Sequence, residues 1–299
     1  MNQVEPVGAP PLERPHPPGS PRDERAMGER LRRLEQIGGG ALAGGFVLYL
    51  GALVCAPMLA VGAHALSGGL AGAAAAIRDP VAARALTLTL TSALATSVVN
   101  LVFGAAVAWA LARWQFPGKG LLARGVDLPF AVPTLVAGVL IVALYGPQSL
   151  VGGWLGSQGV PLVFARPSIL LAMLFVTFPF VVRAVLPVLS ELDPAEEEAA
   201  QTLGASRWQI FWWVLLPAMA PALGVGTAQV FARCVAEFGA VAVVSGNIPY
   251  ETLTAPVYIL GEVEAGQTHS AAAVSLVLLG VAAALHPITR LIAHTRVGR

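Results

Sequence analysis

The sequence predicts an all-α polytopic membrane protein with six transmembrane helices. Of its 299 residues, 56% are hydrophobic and 12% are charged, whereas soluble domains carry about 25% charged residues. The mean hydropathy is +0.71. Several apolar runs reach the length of about 20 residues that a helix needs to cross a bilayer. These runs leave no room for a large soluble domain between them.

The chain divides into a polar leader and a membrane domain. Residues 1–40 are predicted to be a disordered, Pro-rich cytoplasmic leader with a short basic helix over 27–37, because seven prolines fall within the first 26 residues and such a segment cannot build a core. Residues 41–299 are predicted to form one six-helix transmembrane domain. Its spans are expected at residues 41–66, 85–112, 126–146, 167–190, 217–244 and 269–292.

Some residues in these spans are unusual for helices that face lipid. Pro129 and Pro133 are expected to kink or interrupt the third span, which is tolerated where the backbone meets protein or a cavity. Asn100 is costly in lipid, so it is expected to face protein or water. Cys55 and Cys234 lie inside apolar runs and are expected to be buried small hydrophobes. We therefore predict neither a disulfide framework nor a metal site.

The distribution of positive charge predicts the orientation of the chain. With the N-terminus inside, the outer segments carry only Arg78, Arg84 and Arg166, and Arg233 lies within a span. Cytoplasmic segments of membrane proteins are enriched in Lys and Arg. Both termini, and the loop between the fourth and fifth spans, are therefore expected in the cytoplasm. The inner residues are Arg14, Arg22, Arg25, Arg30, Arg32, Arg33, Arg113, Lys119, Arg124, Arg183, Arg207, Arg290, Arg296 and Arg299.

The most sharply patterned polar stretch between the apolar runs is residues 193–217. Asp193 can cap a helix, and the proline and three glutamates that soon follow it suit a first helical turn. Gly204 suits the C-terminal end of that helix. Ser206 and Gln209 form a second capping pattern before apolar sequence. The stretch predicts a short helix, a glycine turn and a second helix that enters the membrane, with an ordinary loop helix between two spans as the alternative.

This stretch resembles the EAA signature of ABC importer permeases. Glu198-Ala199-Ala200 is followed by three residues, Gly204, nine residues and Val214-Leu215-Leu216-Pro217, with valine where the family usually has isoleucine. In that family the loop forms a coupling helix that docks onto a separate ABC ATPase subunit. The resemblance therefore implies a type I (MetI-like) ABC importer permease architecture and an ATPase partner. The implied ATPase-coupling residues are Glu197, Glu198, Ala199, Ala200, Leu203, Gly204 and Ala205.

A narrower resemblance, over about residues 84–290, is to sulfate/thiosulfate permeases and among them to the T-type subunit. It implies a W-type permease chain as heterodimer partner, a periplasmic or lipid-anchored sulfate-binding protein as donor, and no cofactor. Molybdate and tungstate permeases share much of the pattern and remain an alternative. The matching segments are 126–134, 144–147, 178–183, 236–241 and 245–249, with Thr252, Thr254 and Pro256.

Arg233 and Glu237 are the main candidates for the translocation pathway. They lie four residues apart in the fifth span, so they share a helix face. Such groups usually pair and face a bundle interior or an aqueous cavity. Arg233 is expected either to attract a divalent oxyanion, restrained by Glu237, or to form a purely structural ion pair with it. Asn247 and Ser245 are candidate donors at the outer mouth or caps of their own loop, and Asn100 is the remaining candidate.

Two other function classes stay open at this level. An ion-coupled secondary transporter should carry coupling carboxylates at mid-membrane, where Glu237 is the only acidic candidate well inside a predicted span. An intramembrane hydrolase built on Ser206 is disfavoured because no histidine is placed to activate that hydroxyl. We therefore expect a non-catalytic permease subunit. Arg183, near the cytoplasmic end of the fourth span, is expected to extend its side chain to the membrane interface.

Overall fold

The computed structural model describes residues 21–294, with side chains for residues 43–285 and residue 287. The proline-rich leader before residue 21 lies outside the described residues. The described chain contains thirteen α-helices, one π-helical turn (Phe211–Leu215) and no β-strand. The α-helices are α1 (Pro21–Ala65), α2 (Gly69–Arg78), α3 (Pro80–Arg113), α4 (Lys119–Ala131), α5 (Thr134–Tyr145), α6 (Leu150–Ser157), α7 (Arg166–Glu191), α8 (Pro194–Thr202), α9 (Arg207–Ile210), α10 (Leu216–Val235), α11 (Gly239–Val244), α12 (Ala255–Glu264) and α13 (Thr268–His294).

The predicted all-α polytopic fold is confirmed. Five helical segments are long and apolar enough to cross a membrane, and the bent pair α4–α5 makes a sixth when it counts as one span. Helices α2 and α6 lie between the predicted spans. The five unbroken candidate spans are Ala43–Ala65, Pro80–Arg113, Arg166–Glu191, Arg207–Val235 and Thr268–Leu285.

The described part of the chain divides into two units, with the boundary between residues 59 and 60. In the first unit the backbone of α1 is helical from Pro21 onward, so the basic helix predicted over 27–37 lies within α1. Cys55 is exposed. The prediction that this thiol is buried was therefore wrong, because it assumed that every apolar run packs within the chain. Cys234, in the second unit, is buried as predicted.

The main core of the second unit lies where α3, α7 and α10 pack against one another. Small residues allow this close approach, as is common between membrane helices. A Cβ atom added to Gly104 of α3 would lie 2.8 Å from the Cβ of Val181 in α7, and one added to Gly226 of α10 would lie 3.1 Å from the Val181 Cα. Helix α13 packs against α10, α12 and α2.

The third span is broken, as the two prolines predicted. The axes of α4 and α5 differ by 115° at a break over Val132 and Pro133. Pro133 has no amide hydrogen and disfavours the helical region for the residue before it, and Val132 is accordingly extended (φ −94°, ψ 122°). Pro129 stays inside α4. The break lets α5 pack against α11 and α7.

The fifth span differs from the predicted boundaries of 217–244. It starts earlier, at Arg207, because the serine–glutamine capping box just before it forms a helix N-terminus. Its α10 ends at Val235, and the separate helix α11 begins at Gly239. The break has a local cause, because the Ala240 N–H donates to the Glu237 carboxylate (3.0 Å) and so starts α11 with a side-chain cap.

Candidate functional site

The predicted helix, turn and second helix are present after α7, and local hydrogen bonds stabilise both ends of the first helix. The Asp193 carboxylate accepts the Ala195 N–H at 2.9 Å and caps α8. Gly204 has φ +83°, and the N–H groups of Gly204 and Ala205 bond back to the carbonyls of Gln201 and Ala200. These two bonds form a Schellman motif, which ends a helix and satisfies its last carbonyls. The segment between the fourth and fifth spans therefore contains a short helix that is capped at both ends.

The two faces of α8 are different. Glu198 and Ala199 are exposed, and Leu203, just past the helix, is 88% exposed. Glu197 instead forms an ion pair with Arg113 at the end of α3, and both side chains are only about one fifth exposed, at 21% and 22%. Of the predicted coupling residues, Glu197 therefore points toward the membrane domain, whereas Glu198 is free for a partner.

A series of aromatic contacts links this ion pair to the start of the fifth span. The Arg113 guanidinium lies 5.8 Å from the Trp109 ring centroid, and Trp109 meets Phe211 edge to face at 6.0 Å. Phe211 also stacks on Trp208 at 5.8 Å. Phe211 begins the π-helical turn that joins α9 to α10, and such turns are frequent at functional positions of helices. The contacts thus connect α8, the end of α3 and the start of α10.

A shallow groove of about 330 Å³ lies beside α8. Four of the predicted coupling residues line it, together with residues of the next helix. Its apolar rim includes Trp213, which is 81% exposed. The combination of small residues, an exposed leucine and an exposed tryptophan suits a protein partner. The groove is lined by Ala200, Leu203, Gly204, Ala205, Gln209, Ile210, Trp213 and Val214.

Arg233 and Glu237 form an ion pair with a nitrogen–oxygen distance of 2.8 Å. The Glu237 side chain is fully buried, whereas that of Arg233 is 34% exposed. Glu237 lies past the end of α10, and its second oxygen accepts the Ala240 N–H. The neighbouring Cys234 sulfur lies 3.7 Å from the Thr177 hydroxyl, close to the middle of α7. The pair therefore sits near mid-span, with its guanidinium as the accessible part.

The other three candidate pathway residues are engaged in contacts within the protein. Asn100 is buried and donates to the Thr177 hydroxyl at 2.8 Å, so it faces protein as predicted. The Ser245 hydroxyl donates to the Asn247 side-chain oxygen at 2.7 Å. The Asn247 amide donates to the Ala242 carbonyl at 2.9 Å, and its backbone has φ +56°. This geometry matches the loop-capping interpretation of these two residues.

A second groove, of about 580 Å³, is lined by Arg183, which belongs to an ion pair that sequence reasoning missed. Arg183 of α7 donates to Asp127 of α4 at 2.7 Å, and the two side chains are 57% and 50% exposed. The Arg183 guanidinium also lies 4.6 Å from the Phe130 ring centroid. The partners are 56 residues apart, so helical spacing could not reveal them. The only signal was an aspartate at the start of the proline-interrupted span. The groove is lined by Phe130, Phe180, Arg183, Ala184, Val188, Pro221, Ala222, Val225 and Gln229.

Sequence comparison finds a matching family. Residues 100–293, more than half of the chain, match the family described as "Binding-protein-dependent transport system inner membrane component". The chain is 45% identical over 237 residues to the sulfate transport system permease protein CysW of Synechocystis sp., covering 79% of this chain and 86% of that protein. It is 42% identical over 203 residues to the sulfate transport system permease protein CysT of Escherichia coli, covering 68% and 73%.

Solved structures share the fold at low sequence identity. A chain of the bacterial alginate ABC transporter, in complex with an alginate pentasaccharide-bound periplasmic protein, matches with a TM-score of 0.70 and 19% identity, covering 88% of this chain and 97% of that one. A chain of the MetNI methionine ABC transporter matches with a TM-score of 0.51 and 18% identity, covering 70% and 95%. The arrangement of helices is therefore that of an ABC importer permease.

Proposed function

Because this chain belongs to the family of binding-protein-dependent transport system inner membrane components, we propose that it is the permease subunit of an ATP-driven importer of sulfate or thiosulfate. The observation that carries the proposal is that relatives matched over more than two thirds of their length are named as sulfate transport system permeases. The relatives include both T-type and W-type proteins at similar identity. The T-type assignment rests on the sequence resemblance alone.

We infer that α8 is the coupling helix and that it docks onto a separate ATPase subunit on the cytoplasmic side. The exposed Glu198, Ala199 and Leu203 offer the contact surface. The Schellman turn at Gly204 and the caps on either side make this segment stiff, so it can transmit a rigid-body movement. The subunit itself does no chemistry, and hydrolysis of ATP belongs to the partner.

Transport follows from the different affinities of the partners for two states of the membrane domain. A substrate-loaded binding protein outside and ATP on the ATPase subunits inside would each favour the outward-facing state. Release of hydrolysis products would favour the inward-facing state. A ligand shifts such an equilibrium only as far as its affinities for the two states differ. The ion pair of Glu197 with Arg113 would carry the movement of α8 to α3, and Phe211 would carry it to α10.

The proposed assembly contains two permease chains, two ATPase subunits and a periplasmic or lipid-anchored sulfate-binding protein. The second permease chain is a W-type partner. Both termini and α8 lie in the cytoplasm, as the distribution of Lys and Arg predicts. Arg233, with Glu237 beside it, faces the pathway near mid-membrane and favours passage of a divalent oxyanion.

The deciding experiment is uptake of radiolabelled sulfate by cells that lack only this subunit, with and without the restored gene. Restored uptake that unlabelled thiosulfate competes for, and molybdate does not, is the expected result. Competition by molybdate or tungstate alone would assign the chain to a molybdate or tungstate importer with the same mechanism. Uptake that continues after ATP is depleted, while the ion gradient is maintained, would contradict an ATP-driven importer.

An ion-coupled secondary transporter is less well supported. Glu237, at the break in the fifth span, pairs with an arginine at 2.8 Å. Asp127 of α4 pairs with another arginine at 2.7 Å. Coupling carboxylates must instead exchange a proton or cation during the cycle. The pairings of Glu237 and Asp127 therefore favour the ATP-driven mechanism.

A further inference from the structure

The ion pair of Arg183 and Asp127 is exposed although it lies within the length of a candidate membrane span. More than half of the Arg183 side chain and half of the Asp127 side chain are exposed, at 57% and 50%. Arg183 lies inside α7, eight residues before its end at Glu191, or about 12 Å along the helix axis. Charged groups at such depth face water or protein, because exposure to hydrocarbon is costly. The groove between α4, α7 and α10 is therefore an aqueous or protein-facing surface.

One side of α10, which carries the polar residues Gln229 and Arg233, connects this groove with Arg233. Ala222, Val225 and Gln229 line the groove, and residues 222, 225, 229 and 233 follow one another at the spacing of three and four that places them on one side of a helix. Arg233 sits near the level of Thr177 in α7, because Cys234 contacts that residue. Arg183 follows Thr177 by six residues, about 9 Å along the helix. The two arginines thus lie at successive depths along one surface.

We propose that Arg183 is a second anion-binding station, which receives a tetrahedral dianion after Arg233 and passes it toward the cytoplasm. The proposal rests on the proposed function. Gln229 supplies a neutral amide between the two guanidinium groups. The groove is then this chain's part of the translocation pathway, and the second permease chain closes its open side.

The surroundings of Arg183 suit binding followed by release. A guanidinium group presents planar N–H edges that bind two oxygens of an oxyanion at once. Phe130 contacts the guanidinium at 4.6 Å to its ring centroid, and Asp127 occupies only the Nε side, so the terminal N–H groups remain for a ligand. Asp127 offsets the positive charge and competes with the bound anion. The carboxylate therefore allows the anion to dissociate again. At mid-span, Arg233 is likewise paired with a carboxylate, that of Glu237.

The test compares Arg183→Gln, Arg183→Lys and Asp127→Asn in the complete importer reconstituted in proteoliposomes, with saturating binding protein. Arg183→Gln is expected to lower the rate of sulfate uptake about tenfold, the effect of roughly one lost charge-assisted hydrogen bond. Arg183→Lys should recover much of that loss. Asp127→Asn leaves the cation unopposed, so it should lower both the maximal rate and the sulfate concentration at half-maximal rate. Arg166→Gln, at the other end of α7, is the matched control and should stay within about twofold of the parent.

The outcome separates this inference from the proposed function. If the unmodified importer does not carry sulfate, the proposed function fails and this inference fails with it. If the importer carries sulfate and Arg183→Gln does so at the same rate, only the second station is overturned. A purely structural ion pair would also overturn it. In that case Arg183→Gln and Asp127→Asn would each reduce the amount of folded subunit, and the double variant would restore both folding and uptake.

Discussion

At the scale of single residues, Glu237 shows how one buried carboxylate can serve two purposes. One oxygen pairs with Arg233 at 2.8 Å, and the other accepts the Ala240 N–H at 3.0 Å. The first contact neutralises a charge near mid-span, and the second begins α11 where α10 has ended. A buried carboxylate is tolerated when its charge is paired and its oxygens are hydrogen-bonded. The break in the fifth span and the candidate pathway residue therefore depend on the same side chain.

Gly138 offers a test of how tightly the broken third span packs on this region. A Cβ atom at this position would lie 2.8 Å from the Ala240 carbonyl oxygen and 2.9 Å from the Val243 Cβ. Because the nearest atom belongs to the backbone, Gly138→Ala must push α5 and α11 apart. We expect it to destabilise the folded subunit by about 1–3 kcal/mol, the usual range for overpacking, measured as a lower thermal unfolding midpoint in detergent.

The control for this substitution is Gly280→Ala in α13, where an added Cβ would have nothing within 4 Å. That variant should unfold at the same temperature or slightly higher, since alanine favours a helix by up to about 1 kcal/mol over glycine. Equal midpoints for the two variants would show that α5 and α11 separate without cost. The close packing would then not define the position of Glu237.

Residue roles were predictable from the sequence only where they depend on near neighbours in the chain. Arg233 and Glu237 are four residues apart, so helical spacing revealed the pair. Arg183 was predicted to extend toward the interface, and its partner Asp127 lies 56 residues away in another span. Glu197 was grouped with the coupling residues that the family resemblance implies, and its contact with Arg113 depends on how α3 and α8 pack.

At the scale of secondary-structure elements, α8 combines an outward and an inward contact. Glu198 is exposed, whereas Glu197 pairs with Arg113 of α3. The substitutions Glu197→Gln and Glu198→Gln remove the same charge one position apart. We expect Glu198→Gln to weaken co-purification of the ATPase subunit while leaving sulfate imported per ATP hydrolysed unchanged. Glu197→Gln should keep ATPase binding and lower that ratio at least about fivefold, the lower end of ordinary coupling energies.

The charge-reversed pair Arg113→Glu with Glu197→Arg tests the contact itself. Because the same two positions again carry opposite charges, the double variant should regain part of the coupling that either single reversal loses. The measurement is the same ratio of sulfate uptake to ATP hydrolysis in proteoliposomes. If Glu197→Gln and Glu198→Gln instead gave the same defect, both glutamates would belong to the ATPase surface, and α8 would not be coupled to α3 through Glu197.

Element boundaries were predictable where local chemistry determines them. The capping pattern of Ser206 with Gln209 and the turn at Gly204 are present as predicted, because each involves residues within a few positions. The break at Pro133 follows from its missing amide hydrogen. The end of α10 was not predictable, because residues 217–244 are apolar almost throughout. The hydrogen bond at the start of α11 comes from Glu237, which the sequence assigned to the pathway.

At the scale of the whole molecule, the polar and apolar surfaces of the second unit are unequally distributed. The groove between α4, α7 and α10 is lined by Arg183, whose ion pair with Asp127 is exposed. One face of α3 instead exposes the apolar side chains of Leu94, Val98 and Val102. A lipid environment suits the apolar face but not the ion pair. In the proposed assembly, the groove side is therefore where the second permease chain would lie.

The charge distribution predicts the orientation of the chain in the membrane, and two cysteine variants can test it. Gln158, between the third and fourth spans, and Gln201, in α8, are both exposed. The parent for both variants carries Cys55→Ser, since that thiol is exposed whereas Cys234 is buried. Because Lys and Arg concentrate in the segments on the side of α8, Gln158→Cys should react with a membrane-impermeant maleimide in intact spheroplasts. Gln201→Cys should react only after permeabilisation. The parent should label weakly in both conditions, and the reverse pattern would place α8 outside, where no ATPase subunit could reach it.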